Sequence, residues 1–343
     1  MNTYLTTGDK SVNAPISPVI FLLFLFFSLD FSIKYCRFAD STKLWWIMTE
    51  MNNRMIDRCY IEVTNTCNLN CDFCPKHKRE KRQLTAEEFD LLTDKIQGKV
   101  CFLYFHLMGE PLLHPLLPHF ISTAREKGFK TVLTSNGTLL HRALDLIDTL
   151  PHKIQLSLHS HESNAKGRLA EYIDEVMHFS TLAAEKGTCM VLRLWNQGGR
   201  DKENEEVMRL IEHYVPKPWK ERPDGYRLCE NIYLEFDRKF EWPEAKAEPS
   251  VSSDQEEKKQ LYCKALIKQI GVLADGSLVP CCLDHDGDII LGNLLHQSLE
   301  EILSSPRAQA MIEGFLHHKA TEALCQNCES ALARNSFRGK ARR

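Results

Sequence analysis

Thr64-Asn65-Thr66-Cys67-Asn68-Leu69-Asn70-Cys71-Asp72-Phe73-Cys74 places three cysteines in an eight-residue loop, at the spacing C-x3-C-x2-C. Thiols this close in a chain of 343 residues suit a metal centre better than a disulfide framework. A cubane has four irons, so three cysteines leave one iron without a protein ligand. A small chelating molecule can bind at such an open position. Zinc is the alternative, because His77 follows closely and Cys67, Cys71, Cys74 and His77 would make a closed Cys3His set. The loop by itself admits both readings.

Outward from the loop, short β-like runs alternate with helical segments, the pattern of a parallel α/β sheet or barrel. Strands are expected at 60–64, 102–108, 131–135, 153–159, 189–195 and 232–236. The first helix opens with a capping box, Thr85-Ala86-Glu87-Glu88, ahead of Phe89, Leu91 and Leu92. Further helices are expected at 115–127, 140–150, 171–186 and 205–214. A full eight-unit barrel takes about 250 residues, so the shorter stretch from 55 to 236 fits six units. The fold class is therefore α/β, a partial (β/α)6 TIM-like barrel with a small C-terminal α+β domain. Strand alternation puts Gln155, Ser157 and His159 on one face, and Val191, Arg193 and Trp195 on one face of the next strand. These polar-bearing faces should line the lumen, together with Glu62, Thr64, Tyr104 and His106.

Two further motifs end the next two strands: Met108-Gly109-Glu110-Pro111, then Thr134-Ser135-Asn136-Gly137. Taken with the C-x3-C-x2-C loop and the aromatic Phe73 before its last cysteine, they make the chain resemble the radical S-adenosylmethionine (SAM) superfamily over about 55–330. That resemblance weighs against zinc in the first loop and implies a [4Fe–4S] cluster on Cys67, Cys71 and Cys74. SAM would chelate the open iron. The backbone around Met108, Gly109 and Glu110 would hold its amino group, with Phe73 near the adenine and Asn136 at the end of the third strand. Ser157 and Arg193 match places where the family contacts the ribose and carboxylate. His106, His159 and Glu62 are the catalytic candidates on the substrate side. Met108 departs from the family's first glycine and sets a side chain near the ligand.

A second cysteine set follows a polar stretch at 244–260. Ile270-Gly271-Val272-Leu273-Ala274-Asp275-Gly276-Ser277-Leu278-Val279 reads as a hairpin with an Asp-Gly type I′ turn. A helix follows behind the capping box Ser298-Leu299-Glu300-Glu301. The spacing from Cys263 through Gly276 to Cys281, closed by Cys325 and Cys328, resembles a SPASM/twitch auxiliary-cluster domain. Two fully cysteine-ligated cubanes need eight thiolates, and only six cysteines follow residue 200. One auxiliary [4Fe–4S] cluster on Cys263, Cys281, Cys325 and Cys328 is the economical reading, with a structural zinc as the alternative. Cys282 is read as a bystander, Cys59, Cys101 and Cys189 as core thiols, and the basic run from Lys76 to Arg82 as a solvated loop.

The domains are then an N-terminal extension at 1–54, the radical SAM core at 55–243, the linker at 244–260, the auxiliary-cluster domain at 261–331 and a basic tail at 332–343. Within the extension, the nine apolar residues from Val19 to Phe27 span roughly 14 Å as a helix, half a bilayer core. The favoured reading is a start-site artefact with translation from Met48, Met51 or Met55; a membrane-touching tail and a cleaved signal are the others. With fewer than 60 residues before the first strand, the leader-recognition domain that peptide-modifying relatives often carry is expected to be absent. A net charge of −3 gives no sign of a nucleic-acid partner, and no stable membrane insertion is expected. The expectation is a cytoplasmic, oxygen-sensitive enzyme served by a low-potential electron donor such as a flavodoxin or ferredoxin. Its substrate is a peptide or protein side chain that is oxidised or cross-linked. A small molecule that is dehydrogenated is the alternative, and a non-catalytic electron carrier a more distant one.

Overall fold

The computed structural model describes residues 55–164, 167–199, 201–239, 241–244 and 261–332. The extension at 1–54, nearly all of the linker and of the basic tail, and Cys36 lie outside the described residues. Chain order is β1 (Ile56–Ile61), α1 (Ala86–Ile96), β2 (Val100–Phe105), α2 (Leu117–Glu126), β3 (Lys130–Ser135), α3 (Leu140–Ala143) and β4 (Lys153–Ser157). Next come α4 (Ser160–Asn164), α5 (Leu169–Glu185), β5 (Cys189–Gln197), α6 (Asn204–Tyr214), β6 (Lys220–Arg222), β7 (Gly225–Cys229) and β8 (Ile232–Arg238). The C-terminal part adds β9 (Gln269–Val272), β10 (Ser277–Val279), β11 (Gly292–Asn293), α7 (Leu299–Leu303), α8 (Pro306–Leu316), α9 (Ala323–Gln326) and α10 (Glu329–Leu332).

The six expected strands form the parallel centre of one open sheet, in the order β1-β2-β3-β4-β5-β8. Helices cover one face, and the strand residues turned toward them are mostly apolar: Leu103, Phe105, Leu133, Ile154, Leu156, Leu192 and Leu194 are all buried, with Thr131 buried beside Leu103. Phe89 of α1 stacks on Phe120 of α2 at 4.2 Å and on Phe105 of β2 at 6.0 Å. Burial of each such ring contributes roughly 2 to 3 kcal/mol. The opposite face is polar and partly open, and the strand register aligns Ser157 with Arg193 and Arg193 with Glu235 along it. This inner face is the lumen.

Both capping boxes form as expected, Thr85 with Glu88 and Ser298 with Glu301. Several strand ends do not match the expectation. β1 stops at Ile61, β2 at Phe105 and β4 at Ser157, because the backbone turns away into site loops there. The amide of His106, for example, bonds to the Tyr104 carbonyl at 2.9 Å instead of to a neighbouring strand. The Asp-Gly turn is also different in kind. Gly276 sits at φ +83°, whereas Asp275 is not among the described residues with positive φ. The Gly276 amide bonds to the Leu273 carbonyl at 2.8 Å. A tight turn followed by a left-handed glycine is the three-residue loop with a bulge, not type I′, which needs positive φ at both central residues.

Two additions extend the parallel centre, one at each side. The β6–β7 hairpin joins β8, and its Pro223-Asp224-Gly225 turn was a readable signal. On the other side β9 pairs in parallel with β1, from Arg58 opposite Gln269 to Ile61 opposite Val272, and β10 and β11 follow. The C-terminal hairpin thus continues the barrel sheet.

The basic run is where the solvated-loop reading fails. Arg79 forms a two-pronged pair with Glu62, at 2.7 and 2.6 Å, and donates to the His285 carbonyl at 3.1 Å. Arg82 donates to the Ala274 carbonyl at 2.7 Å, and the Lys78 amide to Asp286 at 2.7 Å. Glu62 also accepts from the Ala274 amide at 2.9 Å. One buried carboxylate therefore ties β1, the loop after the cysteines and the C-terminal hairpin together. Its side chain is 0% exposed and that of Arg79 16%, so removal of one partner strands a charge in a dry site. Arg79→Ala is expected to cost about 3 kcal/mol or more of stability, read by chemical denaturation. Arg79→Lys should recover only part of it, since an ammonium lacks the planar fork.

Candidate functional site: a cysteine loop over an open lumen, with a second cysteine cavity

The first cysteine loop leaves the C-terminal end of β1, the face where barrels of this kind put their chemistry. Gly109 holds it close. Its φ is +77°, and a Cβ there would stand 2.2 Å from the Thr64 carbonyl oxygen, so no other residue fits without backbone movement. The Glu110 amide then bonds to the Thr66 carbonyl at 2.9 Å. Cys67, Cys71 and Cys74 all remain free thiols, with Cys67 exposed and the other two partly so. Burial, and for Cys74 the neighbouring Cys71 and Cys67, raise these thiols, Cys74 to about 12. A cationic centre held by these thiols would release their protons on binding.

Protein donors already face two of the sulfurs. Asn164 Nδ2 donates to Cys71 Sγ at 3.1 Å, and the Leu69 amide lies 3.5 Å from Cys67 Sγ. Asn136 Nδ2 donates to Asn68 at 2.9 Å and stands 4.0 Å from Cys67 Sγ. His77, the fourth ligand of the zinc alternative, instead turns Nε2 to the Asn65 carbonyl at 2.9 Å. The donor set fits an open-sited cluster.

Glu110, whose backbone is the part expected at the cofactor, uses its side chain as a brace. Its two oxygens accept from the amides of Leu112 at 3.1 Å and Asn136 at 2.8 Å, locking the end of β2 to the end of β3. Burial pushes this carboxyl up to about 7 despite those bonds. Glu62 is likewise spoken for by Arg79 and Ala274, so neither side chain is free for a substrate. The buried Met108 side chain packs into an apolar group at the rim of the lumen with Tyr60, Leu107, Leu273 and Val279, against which Cys74, Tyr104 and Cys282 pack.

Ser157 and Arg193 meet each other, with the guanidinium donating to the serine hydroxyl at 2.7 Å. Arg193 is 6% exposed, its Nε has no partner, and its guanidinium lies 4.4 Å from the Trp195 ring centre. Burial lowers it to about 10, so it stays charged. A buried cation with a spare N–H can receive a carboxylate. Burial and Arg193 push His106 down to about 3, and burial sets His159 at about 4, leaving both imidazoles neutral at pH 7. His159 lies beyond the end of β4, where its Nδ1 is 3.1 Å from the Arg193 carbonyl, and its ring is 4.9 Å from that of Phe73. Thr64 accepts from the Thr66 amide at 3.2 Å within the loop.

The second set converges as well. Cys263, Cys281, Cys325 and Cys328 line one apolar cavity with Leu283 and Phe315. Cys282 does not line that cavity; it packs against the apolar group of Tyr60, Leu107 and Met108. Cys59 is a core thiol, fully buried; Cys189 is only partly buried and pairs in register with Lys153. Asn164 and Tyr60 escaped the sequence reading. Asn164 follows an expected strand by one helical turn, a place where site residues collect, but nothing in its identity marks a sulfur contact. Asn164→Ala should shift the midpoint potential of the Cys67/Cys71/Cys74 cluster to more negative values, because a hydrogen bond to sulfur stabilises the reduced state. An EPR-monitored redox titration reads it.

Residues 61–211 match the family model of the Radical SAM superfamily, and 263–329 that of SPASM, an iron-sulfur cluster-binding domain. The chain is 35% identical over 117 residues to a GTP 3′,8-cyclase of Chlorobaculum tepidum, covering 33% of this chain and 36% of that protein. It is 36% identical over 104 residues to a PqqA peptide cyclase of Streptomyces rochei, covering 29% and 28%. The chain thus matches about a third of the length of these relatives. Among solved structures, Streptococcus suis SuiB bound to S-adenosylmethionine superposes with a TM-score of 0.55 at 16% identity, over 94% of this chain and 84% of that one. Native anSMEcpe with bound AdoMet and Cp18Cys peptide gives 0.53 at 16% identity, over 82% and 94%. Likeness at this identity concerns the fold, but the two family matches fall on the two cysteine sites, and the chain belongs to the radical SAM superfamily, with a C-terminal SPASM domain.

Proposed function

We propose that this enzyme takes a hydrogen atom from a peptide or protein side chain and so oxidises or cross-links it. The observation that carries the reading is the lumen: three thiols at its rim, and beneath them a buried, charged Arg193 with an unpartnered N–H. Bound together there, a [4Fe–4S] cluster and SAM supply a 5′-deoxyadenosyl radical when an electron is delivered. The chain's residues provide the rest. Cys67, Cys71 and Cys74 hold the cluster and leave one position open. The Ser157–Arg193 pair is placed to receive the SAM carboxylate and ribose, and Phe73 with neutral His159 to flank the adenine. His106, neutral and partly exposed on the inner face, is left for the substrate.

The four thiols of the SPASM cavity satisfy every iron of a second cluster, so that cluster can exchange an electron and has no open position for SAM. A peptide substrate is supported by the likeness to PqqA peptide cyclase and by the peptide-bound structure of the same fold. The small-molecule reading is supported by the likeness to GTP 3′,8-cyclase. A low-potential flavodoxin or ferredoxin is the proposed donor, and the cytoplasm the proposed compartment; among the described residues no helix is long and apolar enough to cross a membrane.

Anaerobically reconstituted protein should hold about eight irons per chain, four per cubane. Changing Cys67, Cys71 and Cys74 to Ala should halve the iron and abolish 5′-deoxyadenosine formation with dithionite. Changing Cys325 and Cys328 to Ala should instead leave that formation intact at saturating SAM, because the radical-forming parts all lie in the barrel. Chromatography of the nucleoside products decides it. No 5′-deoxyadenosine from protein with both clusters loaded would show that the chain is not a SAM-cleaving enzyme.

A further inference from the structure

Four residues after β8, Glu241–Glu244, touch both cysteine sites. Trp242 Nε1 donates to the Phe73 carbonyl at 3.0 Å, and Phe73 stands between Cys71 and Cys74. The Trp242 ring meets His285 edge-on at 5.6 Å, in the loop that follows Cys281 and Cys282. The next residue, Pro243, forms part of the wall of the cavity lined by Cys263, Cys281, Cys325 and Cys328. The next again, Glu244, accepts from Asn327 Nδ2 at 3.3 Å through its carbonyl, and Asn327 lies between Cys325 and Cys328. At the start of the strap the Glu241 amide bonds to Glu329 at 3.4 Å.

Three consecutive residues therefore contact the loop of one site, the wall of the other, and the turn between two of its thiols. Consecutive Cα atoms are a fixed 3.8 Å apart, so little slack separates these contacts. Phe73 is the sensitive point. Its carbonyl is fixed by Trp242 and its ring lies against His159; a displaced carbonyl moves both the ring and the turn that carries Cys71 and Cys74.

We propose that this strap couples the two cysteine sites, with Trp242 as a positioning residue that holds the Cys71–Cys74 turn in its SAM-binding form while the auxiliary cavity is filled. An empty cavity lets Pro243 and Asn327 relax, and the strap transmits that slack to Phe73. SAM affinity at the first site then depends on occupancy of the second. Linkage requires the reverse as well. This coupling stands apart from the identity of the substrate, and no substrate is needed to test it.

The test uses full-length, anaerobically loaded protein and SAM as the probe, with binding measured by calorimetry and by the change SAM causes in the EPR spectrum of the reduced cluster. Trp242→Phe keeps a ring against His285 and loses the donor to Phe73. It should weaken SAM binding roughly threefold to tenfold, the worth of one hydrogen bond, and diminish the EPR change, with eight-iron loading retained. Asn327→Ala, which removes no thiol, should weaken binding in the same direction. The double variant should bind SAM no more weakly than the worse single one, since both act through one strap. If Asn327→Ala instead loses the auxiliary cluster, it becomes the empty-cavity sample and should still match Trp242→Phe. Unchanged SAM affinity in fully loaded Trp242→Phe protein overturns the proposal, and so do losses that simply add in the double variant.

Discussion

Glu62 sits just past the end of β1 with both oxygens buried, taking two hydrogen bonds from Arg79 and one from the Ala274 amide. A carboxylate can be kept in so dry a place only if its charge and its lone pairs are met. Meeting them fixes three separate segments: the strand that launches the cysteine loop, the basic run that returns from it, and the hairpin that joins the sheet through β9. The cysteine loop between those fixed ends has little freedom, and Gly109 closes the remaining gap by letting its backbone lie against Thr64. The placement of Cys67, Cys71 and Cys74 rests on this arrangement, as does the attachment of the second cysteine cavity to the barrel.

The two faces of the parallel sheet divide the labour. The helix-covered face is apolar and dry, which stabilises the fold. The inner face keeps polar groups that are only partly covered, and their protonation follows from that. His106 and His159 are held neutral, Arg193 remains charged, and the thiols stay protonated until a metal centre displaces the proton. A lumen with one buried cation and neutral imidazoles favours an anionic group near Ser157 and Arg193. It leaves little driving force for stray acid–base chemistry around a reactive radical.

Several polar residues at the site serve geometry and not chemistry. Glu110 spans the ends of β2 and β3 through two amides. Tyr172 donates to the Asn136 carbonyl at 2.8 Å and packs so tightly over Gly137 that a Cβ there would stand 2.8 Å from its hydroxyl. Asn136 itself holds Asn68 in the cysteine loop. The Glu-Pro and Asn-Gly motifs thus earn their positions by joining three strand ends into one rim, whatever backbone contacts they also offer a ligand.

Local signals were enough for much of this. The alternation of apolar and polar residues located the six central strands, since burial on one face is a short-range pattern. The two capping boxes were equally visible. Cysteine spacing marked both cysteine sets, because their C-x3-C-x2-C and C-x2-C steps are short-range patterns. Pairings across long separations were not legible. Nothing near Glu62 announces Arg79, Ala274 or the addition of β9 to β1, and so a brace read as a catalytic candidate and a clamp read as a solvated loop. Trp242 and Asn164 carry no local pattern at all; each acquires its role only where the folded chain brings it against Phe73 or Cys71. The sequence by itself located the central strands and the two cysteine sets, and its motifs pointed to the radical SAM superfamily. Tertiary structure alone decided which polar side chains face the lumen freely, because only burial and partner geometry distinguish a satisfied ion pair from an available one.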